Sequence, residues 1–406
     1  YVDALAELPS AVPIAPGFGL YGFGGGAYHH MRQAGFDPNV TDGLGVSRSG
    51  LRYAPDRGVF LGLKATVTFG TMPSKAAFNG EATFELAFNN NGGLDFVGFS
   101  GVGYFMTNPI GGKLADIKKK AGKLIEKAES MAAKMPGQAD EENLDNLKGK
   151  LAAIDDAGQV AASVYISYDF RNKTLYGNLR VLVNIAGGLL KGVGPDGLAG
   201  EAVLYFAPKE WYIHIGTPDR RIGIQALGIA KMESYFMIGD NIPGSPPPDE
   251  NVSEILGGVD LDYMRDENAL GNGSGFAFGS RFTVDTGELT FLIFYARFKA
   301  GAGFDIMVKN YGPGVRCKGR SKPLGINGWY ANGQAYAYFE GSIGIKVKLP
   351  FKKGKFEILS IGAAAVLQAK LPNPLWMRGM VGGRFSILGG LVKGNLGVKE
   401  LGEELL

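Results

Sequence analysis

The feature that most constrains this chain is a strict two-residue alternation of apolar and polar side chains. Between residues 59 and 69, Val59, Leu61, Leu63, Ala65, Val67 and Phe69 fall on one side of an extended backbone, and Lys64, Thr66 and Thr68 fall on the other. Residues 80–88 repeat the pattern, with Ala82, Phe84, Leu86 and Phe88 alternating with Glu81, Thr83 and Glu85. The Asn90-Asn91-Gly92-Gly93 run then offers residues that tolerate positive φ, so it reads as the turn into a third strand over 94–105. A helix would scatter these side chains around its axis. For a sheet with one wet face, the pattern predicts the apolar row in the core, with Phe84 buried and Glu85 in water.

The same reading gives strands at 164–170, 175–185, 202–206, 211–215, 275–284, 289–298, 301–308, 334–349, 355–371 and 375–398, with a hairpin turn at Asp285-Thr286-Gly287-Glu288. The segment 17–31 is too rich in glycine for a helix and reads as a bulged strand or a loop over a sheet. One stretch changes period. Leu114, Ile117, Ala121, Leu124, Ile125, Ala128 and Met131 recur at three- and four-residue steps, Pro136 and Gly137 interrupt them, and Leu144, Leu147, Leu151 and Ile154 resume the pattern. The expected fold is therefore mainly β, an antiparallel meander of long hairpins in an extended or curved sheet or a sandwich, with an inserted α-helical hairpin. Its expected parts are a glycine-rich meander at 1–111, the helical hairpin at 112–158, hairpins at 159–241, a proline-rich linker at 242–258 and a second meander at 259–406.

Composition narrows the function. Glycine fills 64 of 406 positions without a three-residue period, which excludes collagen, and 11% aromatic content with only 20% charged residues excludes a disordered chain. With 42 basic and 39 acidic residues there is no global field for nucleic acid. No stretch reaches the ~18 apolar residues of a membrane helix. A membrane barrel stays open, because its signal per strand is weak. A single cysteine, Cys317, leaves no disulfide framework and no multi-thiolate zinc site. The chain starts at Tyr1 without a leader pattern, which is expected if a signal has been removed or if the chain is an excerpt of a longer one.

Chemistry-bearing residues are sparse. His29 and His30 are neighbours, which on a strand would point them to opposite faces and prevent shared chelation, and His214 should sit beside Tyr212 on one face. Asp260, Asp262, Asp266 and Glu267 form the densest acidic run. The first three offer carboxylate oxygens for calcium, but the glycine and closing glutamate of an EF-hand loop are missing, so a solvated loop is the main reading and calcium the minor one. Trp329 and Tyr330, just after the Gly325-Ile326-Asn327-Gly328 turn, are the candidate binding aromatics, against the plainer role of capping a core. No nucleophile-and-base constellation or phosphate loop appears, so the reading leans toward a structural or binding role without excluding an enzyme.

The run 17–31 followed by Phe78-Asn79-Gly80-Glu81-Ala82-Thr83-Phe84-Glu85-Leu86-Ala87-Phe88 resembles segments of very large, β-rich secreted and cell-surface proteins of Bacteroidota. That resemblance implies part of a giant extracellular protein and carries over no functional residue. The leading expectation is a structural or interaction module of a bacterial secreted or surface assembly, with protein partners or further domains of the same chain. The rivals are an outer-membrane β-barrel, a carbohydrate-active β protein and an apolar-ligand carrier. Lysines on many faces and a non-aromatic terminus speak against the barrel.

Overall fold

Most apolar–polar runs become strands, many of them longer than expected, while the run 289–298 is split between the end of one strand and the start of the next. The computed structural model describes residues 1–36, 51–107, 158–240, 242, 244–261, 274–291, 293–319, 321–349 and 352–401. Within these, one unit draws on residues up to 107, 158–186 and 194–215, and a second on 187–193 and 216–401. The expected helical hairpin at 112–158 lies outside the described residues, except that Gly158 opens a strand. Among the described residues the sole α-helix is α1 (Glu250–Ile255), capped by the Asp249 carboxylate accepting from the Asn251 N–H.

The first unit contains β1 (Val2–Ala15), β2 (Phe18–His29), β3 (Met31–Phe36), β4 (Leu51–Pro55), β5 (Val59–Thr71), β6 (Phe78–Asn89), β7 (Leu94–Thr107), β8 (Gly158–Asp169) and β9 (Thr174–Ile185). After β10 (Leu190–Gly192), which belongs to the second unit, come β11 (Leu198–Ala207) and β12 (Glu210–Ile215) of the first. Its sheet is an antiparallel meander in the order β1, β2, β5, β6, β7, β8, β9, β11, β12, and β3 pairs with β4 as a separate hairpin. The second unit adds β13 (Ile222–Ala226), β14 (Ala230–Gly239), β15 (Gly275–Phe291), β16 (Phe294–Asn310), β17 (Trp329–Leu349), β18 (Lys352–Leu371), β19 (Trp376–Ile387) and β20 (Val392–Leu401). These pair in sequence from β13 to β20, with β10 beside β13.

Turn chemistry follows the sequence. Asn327 and Gly328 both have positive φ, and Ile326 and Trp329 exchange two backbone hydrogen bonds around them. Two expectations change. The Asp285–Glu288 segment is a bulge inside one continuous strand, because the Asp285 carboxylate accepts from Gly287 N–H and from the Arg297 guanidinium, and the chain reverses only between Phe291 and Phe294. Segment 375–398 is two strands, β19 and β20, separated by Leu388, Gly389 and Gly390 at positive φ.

The larger correction concerns which face is buried. The alternation is as expected, but its sense is reversed. Phe84 is 47% exposed and Glu85 2%, while Leu63 and Val67 are exposed and Lys64 and Thr66 buried. The reversal runs through both units: Phe99, Ile166, Leu179, Phe236, Phe282, Phe304, Phe339 and Leu367 are exposed, whereas Ser100, Ser163, Glu233, Asp305, Gln334 and Gln368 are buried. A period of two does not specify which face is covered, and here the chain's own segments lie over the polar one. In the first unit the β3–β4 hairpin covers it, with Tyr53 buried beside Tyr28, Val59 and Tyr165. In the second, Val252, Ile255, Leu256 and Leu261 of the 242–261 segment pack on Tyr336, Tyr338, Val366 and Met380. The proline-rich stretch is thus folded against the inner face, with Ser245, Pro246 and Pro248 buried and the Pro246 carbonyl accepting from Gln334 Nε2 at 2.7 Å.

Part of the glycine content is a packing device of these inner faces. Tyr338 lies across from Gly301, and a Cβ built on Gly301 would stand 2.5 Å from the Tyr338 ring. The same cross-strand arrangement pairs Tyr336 with Gly303. A tyrosine ring laid over a glycine fills the space of the missing side chain and shields the strand backbone.

Candidate functional site

Two inner-face networks concentrate the chain's polar chemistry. In the second unit, Tyr235, Gly279, Asp305, Gln334, Gln368 and Arg378 are successive register partners across six strands, forming one row. Asp305 is fully buried, accepting from Arg221 Nη2 at 2.6 Å and from Gln334 Nε2 at 3.1 Å. Gln368 donates to the Leu261 carbonyl at 3.3 Å. These bonds fasten the 242–261 segment to the sheet and leave little room for a ligand.

The first unit is more open. Its inner row runs Asp3, Gly26, Lys64, Glu85, Gly98, Ser167, Tyr176, Tyr205 and Tyr212 across nine strands. At one end of the row, Glu85 accepts from Tyr28 Oη at 2.5 Å and Tyr53 Oη at 2.9 Å, and Lys64 Nζ meets the Asp3 carboxylate at 2.8 Å. At the other end lies a cavity of about 810 Å³, bordered by Arg32, Gln33, Tyr165, Tyr176, Asn178, Arg180, Glu201 and Tyr205 among others. That volume falls within the ~300–1,000 Å³ range of small-molecule sites. The β3–β4 hairpin supplies one wall: Arg32 pairs with Asp169, and Tyr165 Oη donates to Gln33 Oε1 at 2.7 Å. Strands β9 and β11 supply the other, where Asn178 Nδ2 donates to Glu201 Oε1 at 2.7 Å.

Arg171, in the turn after β8, ties to itself the turn before β5 through Asp56 and the start of β7 through Asp95. The Gly58 N–H donated to Asp56, reinforced by the Arg171 charge, holds the Asp56 carboxyl below its ordinary 3.8.

The residues singled out from sequence do not converge on either network. Asp260 is exposed, and Asp262 and Asp266 lie outside the described residues; among the described residues no cluster of three metal-ligating side chains occurs. Trp329 is 39% exposed, but Tyr330 is buried with its Oη donating to the Pro374 carbonyl at 2.7 Å, so the two do not form a shared surface. His214 stacks on Tyr212, as its strand position implied. His29 and His30 do not point apart: positive φ at His30 ends the strand and brings the two rings to 3.8 Å, each Nδ1 facing a backbone carbonyl of Phe60 or Val59. Tyr176, Asn178 and Arg180 went unmarked in the sequence, although their alternation with Leu175, Gly177 and Leu179 was the available signal.

No known family model matches the chain, and no curated protein is significantly similar to it.

Proposed function

We propose that this chain is a membrane-embedded antiparallel β protein of the outer-membrane barrel class, its strands crossing a bilayer with the apolar face against lipid and the polar face turned away from it. The observation that carries this reading is the reversed alternation, in which Phe84 is exposed and Glu85 buried, repeated on strand after strand. In water, each exposed phenylalanine forfeits the ~25 cal/mol per Å² that burial would supply. Against acyl chains that loss disappears, and alternating apolar-out, polar-in strands are the pattern a bilayer selects. A partner protein would normally cover one patch, whereas here the apolar side chains extend over both units.

Three of the lysines that spoke against a barrel support it once placed. Lys64, Lys309 and Lys370 are all buried on the inner side. Strand lengths of 12 to 21 residues for β5–β9 and β15–β19 exceed the ~9–11 needed to span. No helix among the described residues is long and apolar enough to cross a membrane, so any crossing would be made by strands.

The test is a cysteine scan on a Cys317→Ser background, labelled with an environment-sensitive fluorophore in vesicles containing brominated lipid. Labels at Leu63, Phe84 and Ile166 are expected to be quenched, and labels at Thr66, Thr83 and Ser163 spared. A chain that stays in solution without detergent and shows no such alternation overturns the reading.

A further inference from the structure

The first unit's cavity contains a cation that the fold does not use. Arg180 Nε is buried and has no hydrogen-bond partner, and Ser163 Oγ, on the residue directly across the strand pair, is likewise buried and unpartnered. The neighbouring charges are already engaged. Arg32 pairs with Asp169, and Glu201 accepts from Asn178 although Glu201, not Asn178, is the register partner of Arg180. A buried guanidinium N–H left unmatched is costly, so a fold that keeps one beside an open cavity is prepared for an acceptor from outside.

The rest of the lining narrows that acceptor. Phe96, Tyr165, Tyr176 and Tyr205 border the cavity with rings, while Asn178 and Glu201 offer flat donor and acceptor groups. Aromatic surface for C–H faces and planar polar groups for hydroxyls suit a sugar ring. Guanidinium geometry suits an oxyanion, taken up through paired N–H bonds. Two carboxylates that border the cavity, Asp169 and Glu201, would repel a doubly charged phosphate more than a singly charged carboxylate.

We propose that this cavity binds a saccharide carrying a carboxylate, with Arg180 receiving the carboxylate and Asn178 and Glu201 the neighbouring hydroxyls. The site lies within one unit and goes beyond the membrane reading without resting on it: a soluble protein with this cavity would bind the same ligand, and a membrane protein could leave it filled with water.

The experiment is isothermal titration of the full chain, solubilised in detergent if it requires it, with digalacturonate, its dimethyl ester and a neutral galactose disaccharide. The acid is expected to bind at least about tenfold tighter than the ester or the neutral sugar, a difference of ~1.4 kcal/mol. Arg180→Gln should abolish the preference, and Arg180→Lys should retain part of it. The ester comparison uses the native protein and so stands even if a variant fails to fold. Equal affinity for acid and ester, or no heat from any of the three at millimolar concentration, overturns the proposal, as does an acid preference that persists in folded Arg180→Gln protein.

Discussion

Tyr53, on the small β3–β4 hairpin, donates its hydroxyl to Glu85 on the main sheet at 2.9 Å, and both side chains are buried. This bond joins the hairpin to the inner face, and Tyr28 completes the carboxylate's coordination from a third strand. Removing the acceptor strands two buried hydroxyls, each costing ~1–3 kcal/mol unsatisfied. Glu85→Ala is therefore expected to destabilise the protein by about 2–4 kcal/mol, whereas Phe84→Ala, on the exposed face, should cost under ~1.5 in detergent. Denaturant titrations of the two variants in the same micelles check the order, and a larger loss for Phe84→Ala would restore the conventional inside and outside.

A second expectation comes from the tyrosine–glycine pairs. Gly301→Ala drives a methyl group into the Tyr338 ring and should cost about 1–3 kcal/mol through overpacking. In the double variant Gly301→Ala/Tyr338→Ala the clash is gone, so the combined loss should fall short of the sum of the single losses. Strict additivity would mean that the ring moves aside freely and the glycine serves another purpose.

The strands were legible in the sequence because a period of two survives any tertiary context. Residues 59–69 and 80–88 fall within β5 and β6 for that reason. The sense of the pattern was not legible, since alternation is unchanged when inside and outside are exchanged; only the solvent decides, and water was assumed. β1 escaped notice because Pro9 interrupts its ladder, where the register with β2 shifts between Glu7 and Val12. The cavity was hidden for a different reason. Arg180 is one arginine in an ordinary strand until β8, β11 and the β3–β4 hairpin bring Ser163, Glu201 and Gln33 around it.

The turn cluster around Arg171 gives a pH signature. Asp56 has a depressed pKa, so its contribution to stability is present above its unfolded value and disappears as pH falls through the lower folded value. The stability difference between the native chain and Asp56→Asn should thus be constant near neutrality and shrink toward zero below about pH 4. Its size should be modest, at most ~1 kcal/mol, because Arg171 is partly exposed and salt screens the pair. Thermal transitions of both proteins across an acid pH series, at low and high salt, measure this, and a difference that grows on acidification would contradict the assignment.

The buried Arg221–Asp305 pair separates two roles that a polar interior can play. Asp305 is fully enclosed and holds Arg221 and Gln334 together, so Asp305→Ala leaves a guanidinium without its counter-charge and removes one of the two acceptors of the Gln334 amide. Breaking such a pair from one side typically costs about 3–5 kcal/mol. Replacing both charges by apolar residues of similar volume, as in Arg221→Met/Asp305→Leu, removes the desolvation penalty together with the attraction and is expected to come within ~1.5 kcal/mol of the native chain. Chemical denaturation gives both numbers. If the double variant is as unstable as Asp305→Ala, the remaining bond that Gln334 makes to Pro246 depends on the carboxylate, and the pair would then be what positions the 242–261 segment. Protease accessibility of that segment distinguishes the outcomes: it should be unchanged in the double variant if packing of Val252, Ile255 and Leu256 against Tyr336 and Tyr338 holds it, and raised if the ion pair does.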